Sequence, residues 1–310
     1  MSHGALVINK TRGLTSHDVV ASVRRLFRTR SVGHLGTLDP IATGVLPLLV
    51  GSATRLQRFY QGRRKRYAGT IRFGFATDTY DSDGKPLGPD TLPTLERTVL
   101  EPLFQELVGK IQQVPPPYSA KKIGGVAAYV LARKKKKFTL APIEAQVYRF
   151  ELEGVEGSRA GFEIECAAGT YIRTLAHDLG QRLGTGAHLV EICRTTAGEF
   201  TLEQALTLKE LEKVLQSGER ERVLIPLERL LPDLPRAVVA TPLERRLRHG
   251  GKVELSETQI EPPELLSPID SREWSPYRLR VFNQERKLIA IAQAVVPRIF
   301  QPIVVLPAPA

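Results

Sequence analysis

The sequence predicts an α+β fold, with a mixed, mostly antiparallel sheet flanked by helices and a small β-rich module at the C-terminal end. Strand-like alternation of apolar and polar residues recurs between amphipathic helical stretches, and the pattern becomes strand-rich after Pro235. A length of 310 residues, of which 42% are hydrophobic, is sufficient for a sizeable core and for about two domains. We therefore expect one domain over residues 1–235 and a second over residues 236–310.

The N-terminal part of the chain begins with a short apolar strand over residues 5–8. Ser16 is the predicted N-cap of a helix whose apolar side chains, from Val19 to Phe27, recur at helical spacing. The next predicted elements are a loop over residues 29–44, a buried run over 44–51, a short helix near 53–59 and an alternating strand over 67–75.

The remaining elements follow from the same periodicities. The acidic turn at 77–85 lacks the spacing and the closing Glu of a calcium loop, and the proline-rich segment 115–122 suits neither a helix nor a central strand. The predicted helices span residues 95–108, 126–132, 172–183, 208–215 and 243–249. The predicted strands span residues 146–152 and 161–167, a pair within 188–200, and the C-terminal runs RLRVF, LIAIAQAVV and PIVVLP. Residues 262–268 are expected to form an exposed loop.

Composition excludes several classes of protein. Cys166 and Cys193 have neither CxxC spacing nor a nearby Cys/His cluster, so we expect no metal site and no disulfide framework. No apolar run has transmembrane length, and the N-terminus lacks the pattern of a signal peptide. We therefore expect a soluble, cytoplasmic protein.

The positive charge is concentrated at one end of the chain. The first 75 residues contain 13 Lys and Arg against 2 carboxylates, which equals the whole net charge of +11, while the remaining 235 residues carry 31 of each sign. A cationic region of this kind attracts a polyanion. The uneven charge, with a pI near 9.8, predicts a nucleic-acid partner.

Asp39, in the segment VGHLGTLDP, is one of those two carboxylates. An Asp before a Pro is usually a turn residue. Here the surrounding cations favour its ionised form, and the loop has no second carboxylate of the kind that a glycosidase needs. A single ionised Asp suits nucleophilic attack or electrostatic stabilisation of a sugar cation, so Asp39 is the predicted reactive group.

Three further residues are candidates for the same site. His34 is either a loop histidine bonded to backbone or a ring that occupies part of a nucleotide site. Tyr67 follows the basic cluster RRKR and is either an ordinary strand aromatic or a base-stacking residue. Arg173 lies between apolar neighbours at a helix start, so we expect it to be partly buried and to pair with Asp39.

Basic residues elsewhere are expected to contact RNA phosphates. The run Arg133 to Lys137, which includes Lys134, Lys135 and Lys136, is either a solvated tip or a contact with backbone phosphates that reads no sequence. Lys10 and Arg55 are each either surface charges or phosphate ligands.

Five segments of the chain match a known family in order and spacing. They are GHLGTLDPIATGVLPLLVG, KRYAGTIRFG, PPPYSAKKIGG, GTYIRTLAHDLG and LGTGAHL. Together they resemble the signature segments of the TruB family of tRNA pseudouridine synthases, over roughly residues 5–225. The resemblance implies a pseudouridine synthase catalytic domain that isomerises the T-loop uridine at tRNA position 55 by base flipping, without cofactor or metal.

The resemblance also implies roles for individual residues. Asp39 matches the family's catalytic aspartate, Tyr67 its base-stacking tyrosine and Arg173 the arginine paired with the aspartate. His34 matches the histidine that fills the space of the flipped nucleotide. Three further substrate positions are implied at Lys10, Tyr171 and Ile192.

The regions outside the catalytic core also have implied roles. Residues 112–140 resemble the insertion that grips the T-arm. Residues 236–310 are expected to form a PUA-like RNA-binding module. We expect the protein to act on tRNA as a monomer without an obligatory protein partner.

Two alternatives remain open on sequence grounds. The related guide-RNA-dependent synthases resemble this core but work within a ribonucleoprotein. The start of the catalytic domain near Ala5 and the T-arm insertion favour a stand-alone enzyme. The second alternative is an RNA-binding or RNA-folding factor on the same scaffold, which Asp39, Tyr67 and Arg173 argue against as the sole function.

Overall fold

The computed structural model describes residues 2–134, 136–256, 259–261 and 277–307. Its helices are α1 (Ser16–Phe27), α2 (Arg97–Gln105), α3 (Ala128–Arg133), α4 (Ile172–Leu183), α5 (Leu208–Gln216) and α6 (Thr241–Arg248). Short 3₁₀ helices span Gly51–Tyr60, Leu202–Gln204, Arg220–Val223 and Leu227–Arg229. Two predictions concern residues outside these ranges, namely Lys135 and the loop at 262–268.

The strands occur in two groups along the chain. The first group comprises β1 (Gly4–Lys10), β2 (Val32–His34), β3 (Thr43–Val50), β4 (Lys65–Phe73), β5 (Gly109–Gln113), β6 (Lys122–Ile123), β7 (Val126–Ala127), β8 (Ile143–Glu156), β9 (Arg159–Cys166), β10 (Ala187–Ala197) and β11 (Phe200–Thr201). The second comprises β12 (Arg236–Val239), β13 (Val253–Glu254), β14 (Ile260–Glu261), β15 (Arg278–Asn283), β16 (Leu288–Val296) and β17 (Ile299–Val305).

The predicted α+β class with mostly antiparallel pairing is confirmed. In the first sheet the strands follow the order β1-β3-β10-β4-β9-β8-β5, with β2 and β11 paired at its side, and β3 with β10 is its parallel pair. The second sheet follows the order β13-β17-β16-β15-β12-β14, in which β12 and β15 are parallel. A separate two-stranded ribbon, β6 with β7, leads into α3.

One glycine decides how closely the central strands approach. Gly44 has φ +93 and stands opposite Arg194 in the short parallel pairing of β3 with β10. A Cβ atom at this position would lie 2.3 Å from the carbonyl oxygen of Arg194. Only glycine tolerates both this backbone conformation and this contact. Gly44 therefore allows β3, which follows the Asp39 loop, to lie against β10.

The helices cover one face of the first sheet with apolar side chains. The stripe predicted for α1 is buried, including Val19, Val23 and Phe27, and α4 buries Leu175 and Leu179 against the same core. Gly184 ends α4 in the left-handed conformation, which glycine adopts without strain. The helix predicted at residues 95–108 is shorter, because the chain turns after Gln105 and enters β5 through Gly109 with φ +105.

The second sheet contributes to a second apolar cluster, separate from the one that α1 and α4 join. Apolar residues from it, including Phe282, Leu288, Ile291 and Leu306, join a cluster with the 3₁₀ helix Gly51–Tyr60 and the segment around Leu230. Arg280 donates to the carbonyl oxygens of Leu234 at 3.1 Å and Leu230 at 3.3 Å. Hydrogen bonds and apolar burial therefore both join the two sheets.

No helix in the described part of the chain is long and apolar enough to cross a membrane.

Candidate active site

The loop that carries Asp39 is held through its backbone. Arg194 donates from Nη2 to the carbonyl oxygen of Gly36 at 3.1 Å and from Nη1 to that of Thr37 at 3.4 Å. The next carbonyl, of Leu38, accepts from Ser16 Oγ at 3.1 Å, and that of Asp39 accepts from the Ala42 N–H at 3.0 Å. Because successive carbonyls are occupied, the loop presents Asp39 from a fixed backbone.

The cap of α1 differs from the prediction. Thr15, and not Ser16, is the N-cap, and it forms a reciprocal capping box with Asp18. Ser16 is 1% exposed and turns its hydroxyl to the loop, where it also accepts from the Leu38 N–H at 2.8 Å. Both residue types are good caps, so sequence alone did not separate them. The shift of one residue frees a hydroxyl to fix the backbone next to Asp39.

Arg173 pairs with Asp39, as the sequence predicted. Its Nη2 lies 2.9 Å from Asp39 Oδ2, and the Arg173 side chain is 6% exposed while that of Asp39 is 43% exposed. The same guanidinium donates to the carbonyl oxygens of Thr79 at 3.1 Å and Tyr118 at 3.0 Å. Arg173 therefore joins the Asp39 loop to the acidic turn and to the proline-rich segment, and it orients the carboxylate.

Asp81 is a second carboxylate on Arg173 that the sequence analysis missed. Its Oδ2 lies 3.4 Å from Arg173 Nη1, and its side chain is 8% exposed. Burial raises the pKa of Asp81, while the Thr79 hydroxyl and Arg173 oppose that shift. The turn at 77–85 was read only as a polar, non-calcium turn. A buried arginine can pair with more than one carboxylate, so a second partner of Arg173 besides Asp39 could have been sought in the sequence.

The backbone beside Asp81 is locally strained. Tyr80 has φ +64, which is uncommon for a residue with a side chain, and its ring stacks on His177 at 3.8 Å between centroids. The Tyr80 carbonyl accepts from the Leu189 N–H at 3.0 Å, and the Ser82 N–H donates to the Leu189 carbonyl at 2.9 Å. The acidic turn is thus bound to β10, which places Asp81 beneath Arg173.

The Asp39 carboxylate opens into a cavity of about 290 Å³. Tyr67, Tyr171 and Ile192 line it, as the predicted substrate residues should, together with Leu38, Ala42, Lys65, Ser119, Thr170, Arg173 and Leu189 among others. Burial raises the pKa of Tyr67, partly opposed by the charge of Arg194, and burial also raises that of Tyr171. Both phenols are therefore neutral near pH 7 and present apolar ring surface with a hydroxyl donor.

Two buried residues that sequence reasoning missed hold this cavity in shape. Arg194 is fully buried, and its Nε donates to the Val45 carbonyl at 2.7 Å in addition to its loop contacts. Gln113 is also fully buried, accepting from the Tyr171 N–H at 3.1 Å and donating to the Tyr171 carbonyl at 3.2 Å. A buried side chain whose partners are mainly backbone groups leaves no pattern in a single sequence.

His34 lies in an adjoining cavity of about 380 Å³, which shares Thr37, Lys65 and Gly169 with the Asp39 cavity. Its Nδ1 accepts from the Gly36 N–H at 3.3 Å, and its ring meets that of His17 edge-on at 5.8 Å. Burial, then the charge of His17, lowers the pKa of His34. The position of His34 fits both interpretations from the sequence, because its neutral ring bonds to the backbone and also lines a cavity.

The structure corrects the expected position of Lys10. Lys10 is 1% exposed, and its ammonium donates to the carbonyl oxygens of Leu14 at 2.8 Å, Thr11 at 3.0 Å and Pro40 at 3.4 Å. It is neither a surface charge nor placed for a phosphate. Its contact with Pro40 makes it another support of the Asp39 loop. Burial lowers the pKa of Lys10 to about 8, an effect that the charge of Asp39 partly opposes.

The other predicted basic contacts lie on the surface. Arg55 is exposed, donates to the Val305 carbonyl at 2.7 Å and lines a separate cavity of about 530 Å³ that shares no residue with the Asp39 cavity. It therefore joins the two sheets. Lys134 and Lys136 are exposed just after α3. The structure does not bring these three residues to Asp39.

The chemistry available to this arrangement follows from its parts. A half-exposed carboxylate, oriented by a buried guanidinium and flanked by neutral phenols, can act as a nucleophile or stabilise an electron-poor sugar carbon. The described residues contain no group of three His, Cys, Asp or Glu side chains that could hold a metal ion. The walls of this cavity are formed by aromatic surface, Ile192 and the charged pair, among other residues.

Comparisons with protein families identify similar sequences over most of the chain. The model of the TruB family pseudouridylate synthase N-terminal domain matches residues 24–172, and that of the tRNA pseudouridylate synthase B C-terminal domain matches residues 173–232. The second match includes β10, at the centre of the first sheet.

Curated relatives and solved structures extend this similarity. The tRNA pseudouridine synthase B of Solibacter usitatus is 41% identical over 303 residues, covering 98% of this chain and 99% of that protein. That of Thermotoga maritima is 39% identical over 298 residues, covering 95% and 91%. An H/ACA RNP bound to a substrate RNA containing 2'-deoxyuridine contains a chain similar in fold, with a TM-score of 0.71 and 22% identity, covering 99% of this chain and 85% of that one. A Cbf5-Nop10-Gar1 complex gives 0.70 and 24%, covering 95% and 79%.

Proposed function

The chain belongs to the TruB family of pseudouridylate synthases, and we propose that Asp39 is the group with which it converts the T-loop uridine at tRNA position 55 to pseudouridine. One observation carries the assignment to Asp39. Its carboxylate lies 2.9 Å from the buried Arg173 and lines a cavity that also contains Tyr67 and Tyr171. The relatives named tRNA pseudouridine synthase B support the substrate.

The reaction is an isomerisation that balances without an external reagent. The bond between uracil N1 and ribose C1′ breaks, the base rotates, and a bond forms between C5 and C1′. The proton on C5 is lost, and N1 ends with a proton, so no electrons enter or leave. Asp39 either attacks C1′, adds to the pyrimidine ring or assists a proton transfer at the ribose. Each route requires a carboxylate held in one orientation, which the contact with Arg173 supplies.

The uridine must leave its stacked position before it can reach Asp39. Flipping costs roughly a few kcal/mol, and stacking on an aromatic ring can offset much of it. Tyr67 is suited to this because its ring is buried on the cavity wall and its phenol is neutral. Ile192 would enclose the base on another side. We propose that His34, in the adjoining cavity, occupies the place from which the nucleotide has moved.

Regions outside the cavity are proposed to bind the rest of the tRNA. Residues 112–140 would grip the T-arm, with Lys134, Lys135 and Lys136 contacting phosphates without reading sequence. Residues 1–235 would form the catalytic domain, and residues 236–310 a PUA-like RNA-binding module. The protein would act in the cytoplasm as a monomer without an obligatory protein partner. Modification of unmodified tRNA without added proteins or guide RNA tests the last point.

The primary test compares the wild type with Asp39→Asn on an unmodified tRNA transcript. Pseudouridine formation and tRNA binding are measured in parallel. We expect the wild type to modify the T-loop uridine, and the variant to bind with similar affinity but form no product. If both bind and neither forms pseudouridine, the assignment of a stand-alone synthase fails.

Two further comparisons separate roles at the same site. If Tyr67 takes the proton from the substrate, Tyr67→Phe should react much more slowly while binding normally, and normal turnover would remove this role. If the protein also assists tRNA folding, Asp39→Asn should still accelerate refolding of a misfolded tRNA, because the cationic surface remains. No acceleration would exclude the folding role.

A further inference from the structure

Lys65 stands where the two cavities of the site meet. It precedes Tyr67 by two residues on β4, so both side chains lie on the same face of the strand. In register it stands opposite Cys166 of β9 and Ala197 of β10. Among the three residues that line both the Asp39 cavity and the His34 cavity, Lys65 is the one that carries a charge.

The neighbours of Lys65 in the sequence are satisfied, whereas Lys65 is not. Arg64 and Arg66 point to the outer face, where they contact Glu165 at 3.1 Å and 2.9 Å. Within the described part of the chain, no carboxylate or hydrogen-bond acceptor contacts the ammonium of Lys65. The nearby carbonyl oxygens of Gly36 and Thr37 already accept from Arg194. A half-buried cation without a partner is unfavourable unless an anion joins it.

The surroundings of Lys65 also disfavour its charged form when no anion is bound. Burial lowers the pKa of Lys65 to about 8, and the charge of Arg194 adds to this effect. The thiol of Cys166 does not compensate, because burial raises its pKa to about 11 and it is neutral at pH 7. An anion bound beside Lys65 would favour the charged ammonium and reverse this shift.

Gly36 leaves the space in which this ammonium lies. Its φ is +128, and a Cβ atom there would lie 2.8 Å from Lys65 Nζ. The ammonium therefore approaches the loop backbone three residues before Asp39. An anion bound to it would lie between the cavity proposed for the flipped base and the cavity that contains His34.

We propose that Lys65 is a positioning residue that binds a backbone phosphate of the flipped nucleotide and so holds the uridine in front of Asp39. This inference rests on the proposed function. The phosphodiester is the anionic group of an RNA chain, and the phosphates on either side of a nucleotide move with it when it is flipped. Either the 5′ or the 3′ phosphate of the uridine can supply the contact, which forms once the base enters the cavity.

The test uses three variants of the full chain on a tRNA transcript. Lys65→Met removes the charge and keeps the length of the side chain, Lys65→Arg keeps a charge that does not titrate, and Arg66→Met is the matched control on the outer face. We expect Lys65→Met to lower the single-turnover rate at saturating tRNA by about 10- to 100-fold, with a small change in Kd. Arg66→Met should stay within about 2-fold of the wild type. Equal rates for Lys65→Met and Arg66→Met would overturn the proposal.

The pH profile distinguishes a charge contact from a merely structural role. In the wild type, kcat/KM should fall as pH rises through about 8, where Lys65 of the free enzyme loses its proton. Lys65→Arg should keep its activity to pH 9, and Lys65→Met should lack this limb. Because all variants receive the same tRNA, titration of the substrate cancels. The pKa of Lys10 is also about 8, so Lys10→Met is measured beside these variants and should keep the limb. A limb that Lys10→Met keeps and that persists unchanged in Lys65→Arg would contradict the proposal.

Neutral phosphates identify the source of the anion. A methylphosphonate replaces either the 5′ or the 3′ phosphate of the target uridine in a synthetic T-arm RNA. One replacement should slow the wild type as much as Lys65→Met does, and it should not slow Lys65→Met further. If neither couples to Lys65 while the wild type forms pseudouridine on unmodified RNA, the proposal for Lys65 fails and the synthase function stands. If the wild type forms none, the function itself fails.

Discussion

At the scale of single residues, the site depends on one guanidinium shared by two carboxylates. Arg173 contacts Asp39 at 2.9 Å and Asp81 at 3.4 Å while it is 6% exposed. The three groups together carry one negative charge, and the ammonium of Lys10, whose charge interacts with that of Asp39, offsets it. We therefore expect the orientation of Asp39 to depend on Asp81, which contacts the other terminal nitrogen of Arg173.

Replacing Asp81 should slow the reaction without preventing binding. Asp81→Asn removes one charged partner from the buried Arg173, and the loss of such an interaction costs about 1.5–3 kcal/mol. We expect the single-turnover rate to fall by about 10- to 100-fold with little change in tRNA affinity. Asp83→Asn is the control, because Asp83 is exposed and pairs with the exposed Arg12. A normal rate for Asp81→Asn would show that Asp39 is oriented without it.

The buried Lys10 makes stability depend on pH. Its pKa falls from 10.5 in a free chain to about 8 in the folded protein, so between these values the unfolded state binds more protons. Stability therefore rises with pH in this window, by at most about 1.4 kcal/mol per unit, and is independent of this group below pH 8. Urea unfolding should show the wild type gaining on Lys10→Met between pH 8 and 10. A constant difference would contradict the lowered pKa.

At the scale of elements, α1 and the Asp39 loop form one unit. Ser16, at the first turn of α1, both accepts from the N–H of Leu38 and donates to its carbonyl. Lys10, at the end of β1, and Arg194, on β10, hold the flanking carbonyls. The consecutive elements β1 and α1 and the distant strand β10 thus fix the backbone of this loop. A reactive group held in this way loses little entropy when it reacts.

Removing the Ser16 hydroxyl should loosen this unit. Ser16→Ala leaves the Leu38 N–H and carbonyl without their buried partner, which costs about 1–3 kcal/mol in the free energy of unfolding. We also expect a lower single-turnover rate at unchanged tRNA affinity. Ser217→Ala is the matched control, because Ser217 is exposed and bonds only to Val214 at the end of α5. Denaturant unfolding and rate measurements of both variants check the prediction, which fails if they behave alike.

At the scale of the whole molecule, the second sheet completes the core of the first. Phe282 and Leu306 from the second sheet pack with Leu56 and Leu230 in one buried cluster. Arg280 and Arg55 add hydrogen bonds between the two parts. The excess of positive charge lies in the first 75 residues of the chain, which include the Asp39 loop and β4.

Truncating Phe282 should destabilise the whole protein. Phe282→Ala removes a ring that is 6% exposed, and such a change costs about 3–5 kcal/mol. Val238→Ala is the matched control, since Val238 stands opposite Phe282 in register and is 39% exposed. Because both sheets contribute to this cluster, we expect Phe282→Ala to unfold in one transition at a lower denaturant concentration than the wild type. Circular dichroism measures this transition. Loss of the second sheet alone would show that the two parts unfold independently.

The sequence missed the short strands β2, β5, β6 and β7. By itself it determined the fold class, the main helices and long strands, the family, and the pairing of Asp39 with Arg173. These are local or pairwise properties, since periodicity reports which face is buried and an isolated carboxylate among cations requires a partner. The prediction of Ser16 as the cap of α1 was wrong, because Thr and Ser are both good caps and Thr15 forms the capping box with Asp18.

The tertiary structure alone decided which side chains support the site. Asp81 and Arg194 come from segments far from Asp39 in sequence, and β-strand register brings them together. Lys10 was expected to be either a surface charge or a phosphate ligand, and its burial follows from three carbonyl oxygens that meet only in the folded chain. A single sequence records which charges are present, whereas their partners depend on contacts that form across the fold.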